Sequence, residues 1–197
     1  LGAISFADEP ERQDLFAAGS DDIAGYRIPA IATTNKGTLI VVADARVAKN
    51  RDLPNNIDLV MRRSTDSGKT WEPMKVILDY PGMAGVGDPC IVVDRDTGAI
   101  WVFALYGPKG IGLFASQVSP NEQRGKIVAI KSDDDGRTWS KSVILDGQAN
   151  SKKWFCALAA PGSAIQMRDG ALVVPGYYRP DKGRRMNSFI FHSADHG

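Results

Sequence analysis

Ser64-Thr65-Asp66-Ser67-Gly68-Lys69-Thr70-Trp71 returns as Ser132-Asp133-Asp134-Asp135-Gly136-Arg137-Thr138-Trp139, and a third copy starts at Ser193-Ala194-Asp195-His196-Gly197. The shared pattern is S-x-D-x-G-x-T-W. The aspartate can bond nearby backbone N–H groups and the glycine can take positive φ, so each copy predicts a compact turn. The tryptophan anchors that turn by burying its large ring. A turn module repeated at long intervals predicts a repeat architecture.

Outward from the phrase, a longer unit repeats. Residues 28–34 and 38–44 form a hairpin around Asn35-Lys36-Gly37. Residues 88–93 and 99–106 form a second around 94–98, and 163–167 with 171–178 a third around Arg168-Asp169-Gly170. A third strand follows each (58–63, 127–131, 187–191) and leads into the phrase; a fourth follows the two complete copies, at 74–78 and 142–145. Helical periodicity is almost absent, so the chain reads as all-β. Four strands per unit match a β-propeller blade, and about three blades are present where a closed ring needs at least four. Residues 1–12 read as an N-terminal arm. Residues 13–18 read as an isolated strand, the outer strand of a final blade that closes the ring. The expectation is therefore that 13–197 is roughly half of a propeller domain, its partner being the remainder of the propeller.

Composition sets bounds. A net charge of +1 gives no electrostatic case for nucleic acid or an anionic membrane. No apolar run approaches the about 20 residues of a membrane span. Cys90 and Cys156 lack metal-ligand spacing and read as buried free thiols rather than a disulfide. Neither suits a nucleophile, since only His192 and His196 are available as a base. The acids are not grouped as a calcium loop, so neither a metal nor another cofactor is expected.

Strand direction assigns the ends of the blades. The start of strand one, the end of strand two and the start of strand three share one mouth, and the repeated phrases lie on the opposite rim, where their residue types suit turns. The mouth carries Tyr26-Arg27-Ile28-Pro29, Arg46, the 47–57 loop with Lys49, Arg51 and Asp52, and Gly87-Asp88-Pro89. The long 107–126 loop and Trp154-Phe155-Cys156 join it. Position alone leaves a polar pocket and ordinary surface ion pairs both open.

Tyr26-Arg27-Ile28-Pro29, the repeated boxes, Ala45-Arg46, an acid six residues later and Asp88-Pro89 together resemble the bacterial-type exo-sialidases (neuraminidases). That family is built as a six-bladed propeller and releases terminal sialic acid with retention; the resemblance runs from about Leu15 to Gly197. It implies that Arg27 is one of three arginines gripping the sialic acid carboxylate, a task suited to a permanently charged fork. It implies that Arg46 and Asp88 meet the sugar O4 edge and that Asp52 is the general acid/base. Asp58 competes with Asp52 by type, and its place entering strand three favours a structural role. Leu113, Phe114 and Phe155, with Met83 as an outsider, are the candidates for the N-acyl pocket, or equally for loop anchoring.

The family's nucleophile is a tyrosine activated by a glutamate. Tyr26, Tyr80, Tyr106, Tyr177 and Tyr178 lie at no matching position, and no glutamate follows Glu122. The chain is thus expected to be the N-terminal part of a longer enzyme and inactive by itself. Sialylated glycans or glycoproteins are the implied partners. A secreted, periplasmic or cell-surface location is implied likewise. A trans-sialidase and a non-catalytic carbohydrate-binding propeller are the rival readings.

Overall fold

The computed structural model describes residues 12–114, 124–151, 153–181 and 183–197. The arm expected at 1–12 lies outside these residues except for Arg12. The first blade is an antiparallel sheet of β1 (Gly25–Thr33), β2 (Leu39–Arg46), β3 (Ile57–Ser64) and β4 (Lys75–Leu78) in chain order. The second repeats it with β5 (Gly85–Val93), β6 (Ile100–Gly107), β7 (Lys126–Ser132) and β8 (Val143–Ile144).

The third blade departs from the sequence expectation. Its inner strand begins at β9 (Cys156–Ala159), ahead of residue 163, and is broken. After Pro161, β10 (Gly162–Ser163) pairs in parallel with β5 of the second blade. The chain then returns as β11 (Ile165–Gln166) beside β12 (Leu172–Arg179), which also pairs with β9 and with β13 (Asn187–Ser193). Proline removes a ladder donor and Gly162 sits at φ 114, so the strand cannot continue through this step.

The isolated strand expected at 13–18 is also corrected. Residues 12–24 hold no strand; a 3-10 turn at Ser20–Asp22 follows Gly19 at φ 84. No described strand offers this segment a ladder. It instead lays Phe16 and Ile23 on the outer face of the first blade with Tyr26 and Met74, against Ala43, Ala45 and Val60.

Blades stack face to face, and this explains the near-continuous apolar runs of the middle blade. Val102 and Ala104 of β6 pack toward Val42 and Leu59 of the first blade. The alternate Phe103 packs toward Ala159, Leu172 and Val174 of the third. The far face of the third blade carries Ile165 and Ile190, exposed, on the side away from that core.

The boxes form the rim turns as expected. In the first, the Ser64 hydroxyl donates to Asp66 Oδ1 (2.8 Å) and accepts the Gly68 N–H (2.9 Å). The Asp66 carboxylate accepts the Thr70 amide and hydroxyl, and these bonds hold it down to about 2. The second box repeats this geometry through Ser132, Asp134, Gly136 and Thr138.

The residue before the box glycine does something further. Asp135 is buried and accepts from Thr34 Oγ1 (2.6 Å) and Thr38 Oγ1 (2.8 Å) in the β1–β2 turn of the preceding blade, and from Arg63 Nη2 (2.8 Å). His196, at the same place in the third box, reaches Asp94 Oδ2 (2.9 Å) in the β5–β6 turn. The rim thus ties each of these blades to the one before it.

Candidate active site

At the opposite mouth, register places the polar groups. Arg27 of β1 faces Asp44 of β2, and Arg46 stands two residues on, so all three project from one face of the first blade. Arg27 is aimed by a bulge. Arg27 pairs with Asp44 and Ala30 with Val42, so Ile28-Pro29 opposes the single residue Ala43. Ile28 takes φ 55, a conformation that a β-branched residue adopts only under strain. The second blade repeats the device: Asp88-Pro89 opposes Ala104, and Asp88 takes φ 59.

Asp52 comes from the loop between β2 and β3. Asn55, buried, donates to the carbonyls of Lys49 (2.7 Å) and Arg51 (2.9 Å), which ties the loop around Asp52. Arg46 Nη2 lies 2.6 Å from Asp52 Oδ1, and Arg27 Nη1 lies 3.6 Å from the same oxygen. The Asp52 side chain is 78% exposed and Arg27 51%, whereas Arg46 is 2% exposed. Arg46 Nε and Nη1 meet no acceptor among the described residues. Two cations and one exposed carboxylate therefore meet at the mouth, while the unpaired Nε and Nη1 of Arg46 lie buried beneath it.

Asp88 closes the group from the second blade. Burial pushes its carboxyl above the usual range, the Asp52 carboxylate adds to this, and Arg46 and Arg27 oppose it. Asp44, which the sequence reading missed, lies behind. Its Oδ1 accepts the Asp88 N–H at 2.9 Å and its Oδ2 lies 3.5 Å from Arg46 Nη2. Burial, with Asp88 adding, pushes Asp44 up to about 8 against the pull of that N–H and of Arg46. The signal was its spacing: Asp44 and Arg46 are two apart in a strand.

Asp58 is not brought to this group. It pairs with Ala45, on the opposite face of the blade from Asp44 and Arg46. Burial and the neighbouring Asp79 carboxyl push it up to about 7.

The apolar candidates gather around Arg179, which ends β12 as Arg46 ends β2. Arg179 stands 4.7 Å over the Phe155 ring and 5.6 Å over Phe114, and its Nη1 donates to the Leu113 carbonyl. Phe155 is buried beside Ile111 and Phe114 is half exposed. Leu113 packs with Leu53 against Leu105, Cys156 and Leu158, which brings this cluster to the neighbour of Asp52. Met83 is exposed. Cys90 and Cys156 are free, and burial pushes both up to about 12. At the other rim, Asp94, Asp96 and His196 come together, within the inter-blade contact already described.

Residues 28–197 match the model of the BNR repeat-like domain. This chain belongs to the BNR repeat-like domain family. Among curated proteins, a sialidase of Bacteroides fragilis (strain YCH46) is 39% identical over 192 residues, covering 91% of this chain and 35% of that protein. A sialidase of Micromonospora viridifaciens is 31% identical over 189 residues, covering 92% of this chain and 27% of that protein. This BNR chain thus spans about a third of the length of these two relatives. Among solved structures, the Hadza microbial sialidase Hz136 superimposes with a TM-score of 0.83 at 40% identity, over 91% of this chain and 37% of that one. A leech intramolecular trans-sialidase gives a TM-score of 0.73 at 17% identity, over 91% of this chain and 46% of that one, which shows the shared fold alone. The expected resemblance to sialidases and the propeller fold are both borne out, with the sheets forming an open part of the ring.

Proposed function

We propose that this chain is the N-terminal part of a retaining exo-α-sialidase. The observation that carries the reading is the convergence of Arg27 and Arg46 on Asp52 Oδ1, at 3.6 and 2.6 Å, with Asp88 facing them. Arg27, half exposed at the mouth, is suited to grip a sialic acid carboxylate. Arg46 and Asp88 flank the sugar's O4 edge, with Arg46 Nη2 as the guanidinium nitrogen that reaches the exposed Asp52 at the mouth. Asp52, exposed where a leaving group would lie, gives its proton to the aglycone oxygen as the anomeric bond breaks and later takes one from water. The tyrosine nucleophile, its glutamate and two further arginines belong to the remaining blades, which stack on the exposed Ile165 and Ile190 face of the third blade. Phe114 and Leu113 wall the N-acyl group, with Phe155 as the buried support beneath them. Sialylated glycans or glycoproteins are the substrates, and the enzyme works outside the cytoplasm, secreted, periplasmic or at the cell surface. No helix among the described residues is long and apolar enough to cross a membrane.

The test is release of a fluorogenic phenol from its sialoside by the complete protein, beside hydrolysis of a natural sialoside. Turnover of both by wild type supports the reading. Binding of sialosides with no release of either product replaces it with a non-catalytic carbohydrate-binding propeller. Transfer to an added sugar in preference to water makes it a trans-sialidase.

A further inference from the structure

We infer that Asp44 is a positioning residue: held between two blades, it fixes Arg46 of the first and the backbone of Asp88 of the second at a set separation across the mouth. The inference rests on the proposed sialidase reading, in which those two groups meet the sugar. Asp44 is 2% exposed, so it acts through its neighbours and not on a substrate.

Four observations carry it. Asp44 Oδ1 accepts the Asp88 N–H at 2.9 Å, a bond across the blade seam. Asp88 takes φ 59, so its backbone holds an uncommon conformation that this contact helps to fix. A Cβ at Gly87 would stand 3.1 Å from both Asp44 oxygens, so glycine there is what lets the second blade come so close. Finally, Arg46 has few anchors: Nε and Nη1 lack acceptors among the described residues, and Nη2 has only exposed Asp52 and buried Asp44 nearby. A carboxyl in this place bears a desolvation cost that an apolar side chain would not, and packing alone gives no reason for it.

The experiment uses the complete protein with Asp44→Ala and Asp44→Asn, reading kcat and KM on a fluorogenic sialoside and hydrogen exchange at the Asp88 amide. For Asp44→Ala, KM is expected to rise about tenfold with kcat changed by less than about threefold, the pattern of lost binding geometry. Exchange at Asp88 is expected to accelerate. Asp44→Asn keeps an oxygen for the Asp88 N–H and is expected to recover most of both losses. Wild-type KM and unchanged exchange in folded Asp44→Ala would overturn the inference. So would equal losses in the two variants. If Asp44→Ala does not fold, Asp44→Glu replaces it: the longer side chain should displace Arg46 and Asp88 and raise KM, and an unchanged KM overturns the inference. A wild-type protein that turns over no sialoside would sink the sialidase reading, while the Asp88 exchange comparison would still decide whether Asp44 positions that backbone.

Discussion

Arg46 Nη2 stands between two carboxylates, 2.6 Å from Asp52 Oδ1 and 3.5 Å from Asp44 Oδ2, the first exposed and the second buried. One guanidinium thus joins the interior of the blade to its mouth. The two acids are not equivalent, and substitution is expected to separate them.

Asp52→Ala in the complete protein is expected to lower kcat on a natural sialoside by about 10²–10⁴-fold, the usual worth of a general acid. A phenol leaves with less need of a proton, so its sialoside should suffer a smaller loss. Steady-state rates on the two substrates decide the point, and equal losses would remove Asp52 from the acid role.

Arg27→Lys keeps the charge and loses the planar fork. With a carboxylate as the bound group, KM is expected to rise about tenfold or more, because one ammonium cannot replace two parallel hydrogen bonds. Titration with a carboxylated sialic acid analogue and with its methyl ester checks this: the variant should narrow the difference between the two.

Asp44 makes stability depend on pH in a defined sense. Its carboxyl is raised to about 8 in the fold, well above its unfolded value, so the folded state holds a proton that the unfolded state gives up. The contribution is whole below the unfolded value of about 4 and falls away as pH rises through about 8. Asp58 and Asp88 are raised as well, so the measurement is a difference. The thermal midpoint of wild type minus that of Asp44→Asn is expected to decrease from pH 5 to pH 9.

Asp135→Ala strands Arg63 in the interior with Glu72 as its remaining acid and leaves Thr34 and Thr38 without their shared acceptor. Removing one partner of a buried pair costs about 3–5 kcal/mol. The loss is expected near the lower figure, read by urea denaturation. Ser67→Ala, at the matching but exposed position of the first box, should stay within about 0.5 kcal/mol of wild type.

Much of this was legible before any coordinates. The box spacing and the turn residues gave the blades, because turn chemistry and strand alternation are local properties. Strand direction placed Arg27, Arg46 and Asp88, at strand ends, and Asp52, in the loop between β2 and β3, at one mouth, but the roles proposed for them came from the resemblance alone. Asp44 was not, because a lone acid inside an apolar strand reads as an exception until its partner on another blade is seen. The broken inner strand of the third blade was missed for a similar reason: β10 owes its place to Cys90 and Ile91 of the second blade. The 13–18 segment misled because its apolar residues serve a sheet face and not a ladder.

The boxes are nearly identical, so by themselves they could not tell one seam of the ring from the next. In the second and third boxes the side chain before the glycine can. At one seam a carboxylate, Asp135, enters a turn of hydroxyls; at the next an imidazole, His196, meets a carboxylate, Asp94. Were the second box to close on the wrong turn, Asp135 would confront Asp94, acid against acid. A chain of look-alike modules is at constant risk of joining out of sequence. Here the seams carry unlike chemistry, and the order of the blades is written into their rim.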